Sequence, residues 1–278
     1  MFWNILHLES NKFFHRRMLW IGLIIALIPG LIFFFVSFYA GRQVIAPTVL
    51  IWPGGIATMM AWANGYSGGT GYAVYLLAIV IGLVTAQEYS WRTMQLWLSH
   101  GVSRPLLLSV KFVIALAATL VVSLVFLLVG SILSIIFAYQ LHGGVSIHFG
   151  DVALALLSTL RTAYGMLPYV ALAVLLVVVF RTPAAVGGIP LFMLGVELPL
   201  SFILPALGRN FARVTQYLPI GLAQTMSAQN YTAAHLPVQT LGGGGQANPL
   251  VAATCIAIYT LVLFGLALWI FQHQDLAN

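Results

Sequence analysis

Long apolar runs alternate along the chain with short polar interruptions. The runs at 18–40, 71–87, 112–138, 152–180, one starting near 184, and 250–271 predict six membrane-spanning helices. Apolar residues follow one another continuously in these runs. A transmembrane barrel would instead alternate apolar and polar positions in strands of about ten residues. Pro29 and Pro168 predict kinks within the first and fourth spans. The fifth run loses regularity at Pro199 and Pro205. The third, 112–138, carries no charge and is about 40 Å long at the helical rise.

Between the runs lie segments of different character. Residues 1–17 mix Glu9, Lys12, Arg16 and Arg17 with Phe2, Leu6 and Phe13. At 100° per residue Phe2, Leu6 and Phe13 fall within about 40° of one another, with Asn4, Asn11 and His15 opposite. Glu9 intrudes on that apolar arc. An interfacial amphipathic helix fits this pattern, and a helical extension of the first span is its competitor. Residues 42–70, rich in Gly and Pro, predict a long loop that dips partly into the bilayer. Residues 208–249 form the longest polar stretch and include the Gly242 to Gly245 run.

Composition fixes the solvent. Of 278 residues 61% are hydrophobic and 6% charged, with a mean hydropathy of +1.02. Soluble domains carry about 25% charged residues, so this chain cannot clothe a water-facing surface. It is also far too apolar to remain disordered. The predicted class is an all-α integral membrane protein: residues 1–17 form an interfacial helix, and 18–278 a six-helix transmembrane domain. The first run ends in Phe38, Tyr39 and Ala40 without a small-x-small cleavage pattern, which predicts a retained span.

Eleven Lys and Arg against five acids give a net charge of +6. They are too scattered to track a nucleic-acid backbone and serve better as topology signals. With the N terminus inside, Lys12, Arg16, Arg17, Arg92, Arg104, Lys111 and Arg181 are cytoplasmic; Arg42, Arg161, Arg209 and Arg213 are outside or in the outer half. Six spans then place both termini in the cytoplasm. The lack of organellar targeting favours a bacterial or archaeal plasma membrane.

Candidate chemistry is sparse. No G-x-x-x-x-G-K-[ST] string exists to hold a nucleotide. A single cysteine, Cys255, excludes a disulfide framework and a thiolate metal cage. His142 and His148 share a loop without a third ligand nearby, so no metal site is predicted. The acids within the spans are too few for most intramembrane proteolytic arrangements, and no catalytic residue is predicted. Arg161 and Glu197 interrupt apolar spans, where charges pair or face a cavity. Antiparallel neighbouring helices predict a direct Arg161–Glu197 contact. The competing reading has Arg161 snorkelling outward and Glu197 wet or protonated.

Residues 88–111 are the most informative. Glu88 ends a span, Trp91, Met94 and Leu98 recur on one helical face, and the basic residues Arg104 and Lys111 close the loop before the next span. Such a face suits docking into a partner's groove or lying on lipid headgroups.

The order Glu88, Arg92-Thr93, Leu96, Leu98, Val102-Ser103-Arg104 and Lys111 resembles the ABC-2 type transporter permeases. Arg92 stands where glycine is common in that family. The resemblance extends to the layout of most of the chain, with an N-terminal amphipathic helix, six spans, a fourth span bearing Pro168 and a broken fifth. It is greatest to small bacterial permeases of antibiotic-resistance, immunity and ion-efflux systems.

That resemblance implies several things. Separate ABC ATPase subunits would bind ATP and Mg, and this chain would bind no cofactor. A second permease subunit, identical or not, would complete the path. Glu88, Trp91, Arg92, Thr93, Met94, Leu98 and Arg104 would form the ATPase-coupling segment, with Phe2, Leu6, Phe13, Arg16 and Arg17 as a second contact. Residues 199–249 would include re-entrant helices closing the path outside, as in type V exporters. The largely apolar wall suits a hydrophobic or amphipathic exported cargo. A non-transporting membrane anchor of an ATPase complex and an intramembrane enzyme are the alternatives.

Overall fold

The computed structural model describes residues 2–44, 54–63, 72–90, 97–142, 147–182, 196–233 and 247–274. Among these the chain is helical almost throughout and contains no strand. In order the helices are α1 (Phe2–Phe14), α2 (Arg17–Val44), α3 (Gly54–Ala63), α4 (Tyr72–Ser90), α5 (Arg104–His142), α6 (Phe149–Phe180), α7 (Leu198–Leu207), α8 (Arg209–Thr215), α9 (Pro219–Ala233) and α10 (Pro249–His273).

Stretches of α2, α5, α6 and α10 are long and apolar enough to cross a membrane. They are compatible with a multi-pass membrane chain. The second expected span is α4, whose described apolar stretch, Leu77–Ala86, is shorter. The beginning of the fifth, 183–195, lies outside the described residues. Part of the expected 42–70 loop is the helix α3. Its Ile56, Ala57, Met59 and Met60 are buried, and it packs against α5.

The bundle is built around α6, which touches α3, α4, α5, α9 and α10. Its buried positions include Ala163, Gly165, Ala171 and Ala173. In lipid, apolar burial gains little over the tails it replaces, so small residues that let backbones approach supply the contact energy. Gly22 acts likewise on α2, where a Cβ would run into the Val80 side chain of α4. Pro168 lies within α6 and cannot donate the backbone bond to residue 164. Tyr169 is its neighbour. The exposed faces of α2 and α10 remain apolar, with Ile21, Ile24, Ile25 and Ile28 on one and Ile258, Leu261 and Val262 on the other. Helices apolar on both faces suit a bilayer rather than water.

Polar bonds brace the α1 end of the bundle. Arg104 Nη1 donates to the carbonyls of Gln274 at 2.5 Å, Gln272 at 2.9 Å and Phe271 at 3.4 Å. It thereby closes the α10 C-terminus with a cation, the sign that end favours. Gln274 Nε2 donates to Val178 O of α6 at 2.6 Å. Phe112 and Phe264 stack with centroids 4.1 Å apart and join α5 to α10.

Candidate functional site: two buried polar clusters

The first cluster lies where α1 meets α5. The buried face of α1 is Ile5, Glu9 and Phe13, spaced four residues apart. Glu9 is only 4% exposed. Lys111 Nζ, from the second turn of α5, donates to Glu9 Oε2 at 3.0 Å. Trp97 Nε1 donates to Glu9 Oε1 at 3.0 Å. Lys12 Nζ stands 3.8 Å from Oε1, one turn along α1. Nearby, Arg16 Nη1 donates to Val84 O of α4 at 3.3 Å. Glu9, Lys12, Arg16 and Lys111 share a cleft of about 20 Å³ with Thr85 and apolar residues of α4 and α5. That is the size of a single water site. One carboxylate thus binds the N-terminal helix, the turn before α5 and α5 itself.

That turn is well defined. A helical turn at 97–99 ends with Gly101 N–H donating to Leu98 O at 3.0 Å and Val102 N–H to Trp97 O at 3.2 Å. Gly101 has φ of 80°, a left-handed conformation that glycine adopts without Cβ strain. The reversal delivers the chain into Arg104 and α5. Trp20 Nε1 donates to Phe14 O at 2.9 Å and secures the other end of α1 against α2.

The second cluster surrounds α9. Glu197 is 2% exposed. Its carboxylate accepts from Ile220 N–H at 2.6 Å and from the Tyr169 hydroxyl at 3.1 and 3.2 Å. Ile220 occupies the first turn of α9, where backbone N–H groups have no partner within the helix. The preceding turn presses close: a Cβ on Gly221 would collide with Thr215 O. At the other end of α9, Arg161 Nη1 donates to Gln229 O at 3.4 Å and Asn230 Oδ1 at 3.5 Å. Tyr164 donates to Ala253 O at 2.8 Å and ties α6 to α10 near its N-terminus.

No protein family model and no curated protein matches this chain. The sites therefore stand on geometry alone.

The structure distributes the sequence-predicted residues unevenly. Phe13 is buried on α1 as expected, but Phe2 and Leu6 are only half-buried and Arg17 is exposed. The buried arc is centred on Glu9, rotated about 40° from the expected Phe2–Leu6–Phe13 face. Glu9 is the centre of that face, not an intruder on it, because Lys111 and Trp97 come from elsewhere in the chain to meet it. Arg16 reaches α4. Leu98 is half-buried in the turn before α5, while Arg104 Nη1 closes α10. Glu88 sits in the last turn of α4; Trp91, Arg92, Thr93 and Met94 lie outside the described residues.

The expected Arg161–Glu197 ion pair does not form. Glu197 is held beside Tyr169, eight residues from Arg161 on α6, a separation of about 12 Å along the axis. Each charge instead takes one end of α9. Among the described residues no group of three or more His, Cys, Asp or Glu side chains could hold a metal ion.

Proposed function

We propose that this chain is the permease subunit of an ABC-2 type transporter, working with a separate ABC ATPase. The observation that carries the reading is the joining of α1 to the turn before α5 through Glu9. An amphipathic N-terminal helix and a loop-borne segment, distant in sequence, form one platform at one end of an apolar bundle. The same end carries Lys12, Arg16, Arg17, Arg104 and Lys111, which favours its placement on the cytoplasmic side. The ATPase would press on this platform, and α5, which carries Lys111 and has 39 residues, would convey the displacement through the bundle. Six spans, both termini inside, a plasma-membrane location and a partner permease subunit belong to this reading. So do re-entrant helices among α7, α8 and α9, and a hydrophobic or amphipathic cargo.

The test is co-purification of the chain with an ABC ATPase encoded beside it, followed by ATPase assays in lipid nanodiscs. The expected result is a stable complex whose hydrolysis depends on the permease. Replacing Trp91, Met94 and Leu98 together by serine is expected to uncouple it. A complex whose hydrolysis ignores that triple replacement would contradict the coupling role. A stable complex that moves no cargo into vesicles would favour the anchor alternative.

A further inference from the structure

We infer that Glu197 and Arg161 are positioning residues that clamp α9 from its two ends and so keep this helix seated against α6. Their role in closing a transport path rests on the transport reading; the clamp itself does not.

The helix α9 is a polar helix in an apolar bundle. It lies against α3, α6 and α10, yet Thr225, Ser227 and Asn230 are buried along it. Its apolar contacts are modest: Ile220, Leu222, Ala223 and Ala228 are buried. A helix this polar gains little from apolar partition inside a bundle, so polar ties at specific points must hold it. Two of its hydroxyls are spent within the helix itself. Thr225 Oγ1 bonds Gly221 O and Thr232 Oγ1 bonds Ala228 O, both within α9.

The ties are at the ends, and their signs match the helix dipole. A carboxylate meets the N-terminal N–H of Ile220, and a guanidinium meets carbonyl O of Gln229 near the C-terminus. The spacing also matches. Tyr169 and Arg161 are separated by about 12 Å on α6, and Ile220 and Gln229 by about 14 Å on α9. The two helices therefore run antiparallel with a tie at each end. The N-terminal tie is short and doubly made, since Glu197 also accepts from Tyr169 of α6. The C-terminal tie is long and made from a half-exposed side chain. The clamp is therefore strong at Glu197 and weaker at Arg161. Releasing either end leaves α9 attached by the other, the geometry of a hinged cover.

The chain carries its own reporter. Cys255, its single cysteine, packs against a cluster of Leu222 from α9 with Ala252 and Ile256 from α10. The thiol is already partly exposed, and lifting α9 with its Leu222 away from this cluster is expected to expose it further.

The experiment measures the rate at which a membrane-impermeant maleimide labels Cys255 in the chain reconstituted in nanodiscs, without ATPase or cargo. Glu197→Gln keeps the shape and removes the charge; it is expected to raise the rate about tenfold through more frequent local opening. Arg161→Met is expected to raise it about threefold and Arg161→Lys to stay near the wild-type rate, because a cation still meets the helix C-terminus. Far-UV circular dichroism checks that helicity is kept; if Glu197→Gln loses it, Arg161→Met against Arg161→Lys decides alone. Wild-type labelling rates in Glu197→Gln and Arg161→Met, or equal rates in the two Arg161 variants, would overturn the clamp. Because no ATPase is present, this result is independent of the proposed function.

Discussion

Glu9 and Glu197 are two buried carboxylates in a chain with five acids, and they are held by opposite means. Glu9 faces a cation, Lys111, that is itself 8% exposed, with a second cation farther off. Glu197 accepts from neutral donors, a phenol and a backbone N–H. A buried ion pair is costly to form and costlier to break, because removing one partner strands the other charge. Neutral donors stabilise a carboxylate without leaving a second charge behind. The first arrangement suits a joint that must stay closed, as between α1 and α5. The second suits a contact that can be released and remade, as at the start of α9.

Lys111→Met strands Glu9 and is expected to cost about 3–5 kcal/mol of stability, seen as a large fall in Tm in nanodiscs. Adding Glu9→Leu to that variant removes the stranded charge and is expected to recover most of the loss. Failure to recover would mean that Glu9 serves something besides the pair.

Glu197→Gln is the matching change at the other cluster. It removes a charge without stranding one, and is expected to cost about 2 kcal/mol by the same measurement. A cost equal to that of Lys111→Met would erase the distinction between the two sites. Tyr169→Phe deletes one of the two donors to Glu197 and is expected to cost about 1.5 kcal/mol. Lys12→Ala is expected to change stability by less than about 0.5 kcal/mol, since Lys12 is a third exposed and 3.8 Å from Glu9. A larger loss would make Lys12, not Lys111, the cation that holds the joint.

Much of the architecture was legible from apolar run length. The long helices follow from it, because a helix that meets lipid must be apolar for its whole crossing. The helix α5, however, starts at Arg104, eight residues before the expected run at 112, because a helix can extend past its apolar stretch into polar residues that run length does not register. The helical character of residues 2–14 was legible too, but not the face they bury. Trp97 and Lys111, 88 and 102 residues from Glu9, decide that orientation, and no local periodicity contains them. What did hint at the joint was the pairing of one acid inside an apolar arc with one lysine at the start of a charge-free span. The Arg161–Glu197 expectation failed for a related reason. Two charges in a bundle need partners, but backbone groups at the ends of α9 are partners that a sequence does not advertise. The helix α3, set in a Gly- and Pro-rich stretch, was hidden because its ten residues are too few to register as a span.

Under the proposed function, the α1 end of the bundle is where a separate ATPase would bear on this chain. Hydrogen exchange on the nanodisc-embedded chain, with and without the neighbouring ABC ATPase, tests it most directly. Added protection is expected in α1 and in residues 97–104, with α9 unchanged in the absence of nucleotide. Protection absent from both α1 and residues 97–104 in a complex that demonstrably forms would contradict it.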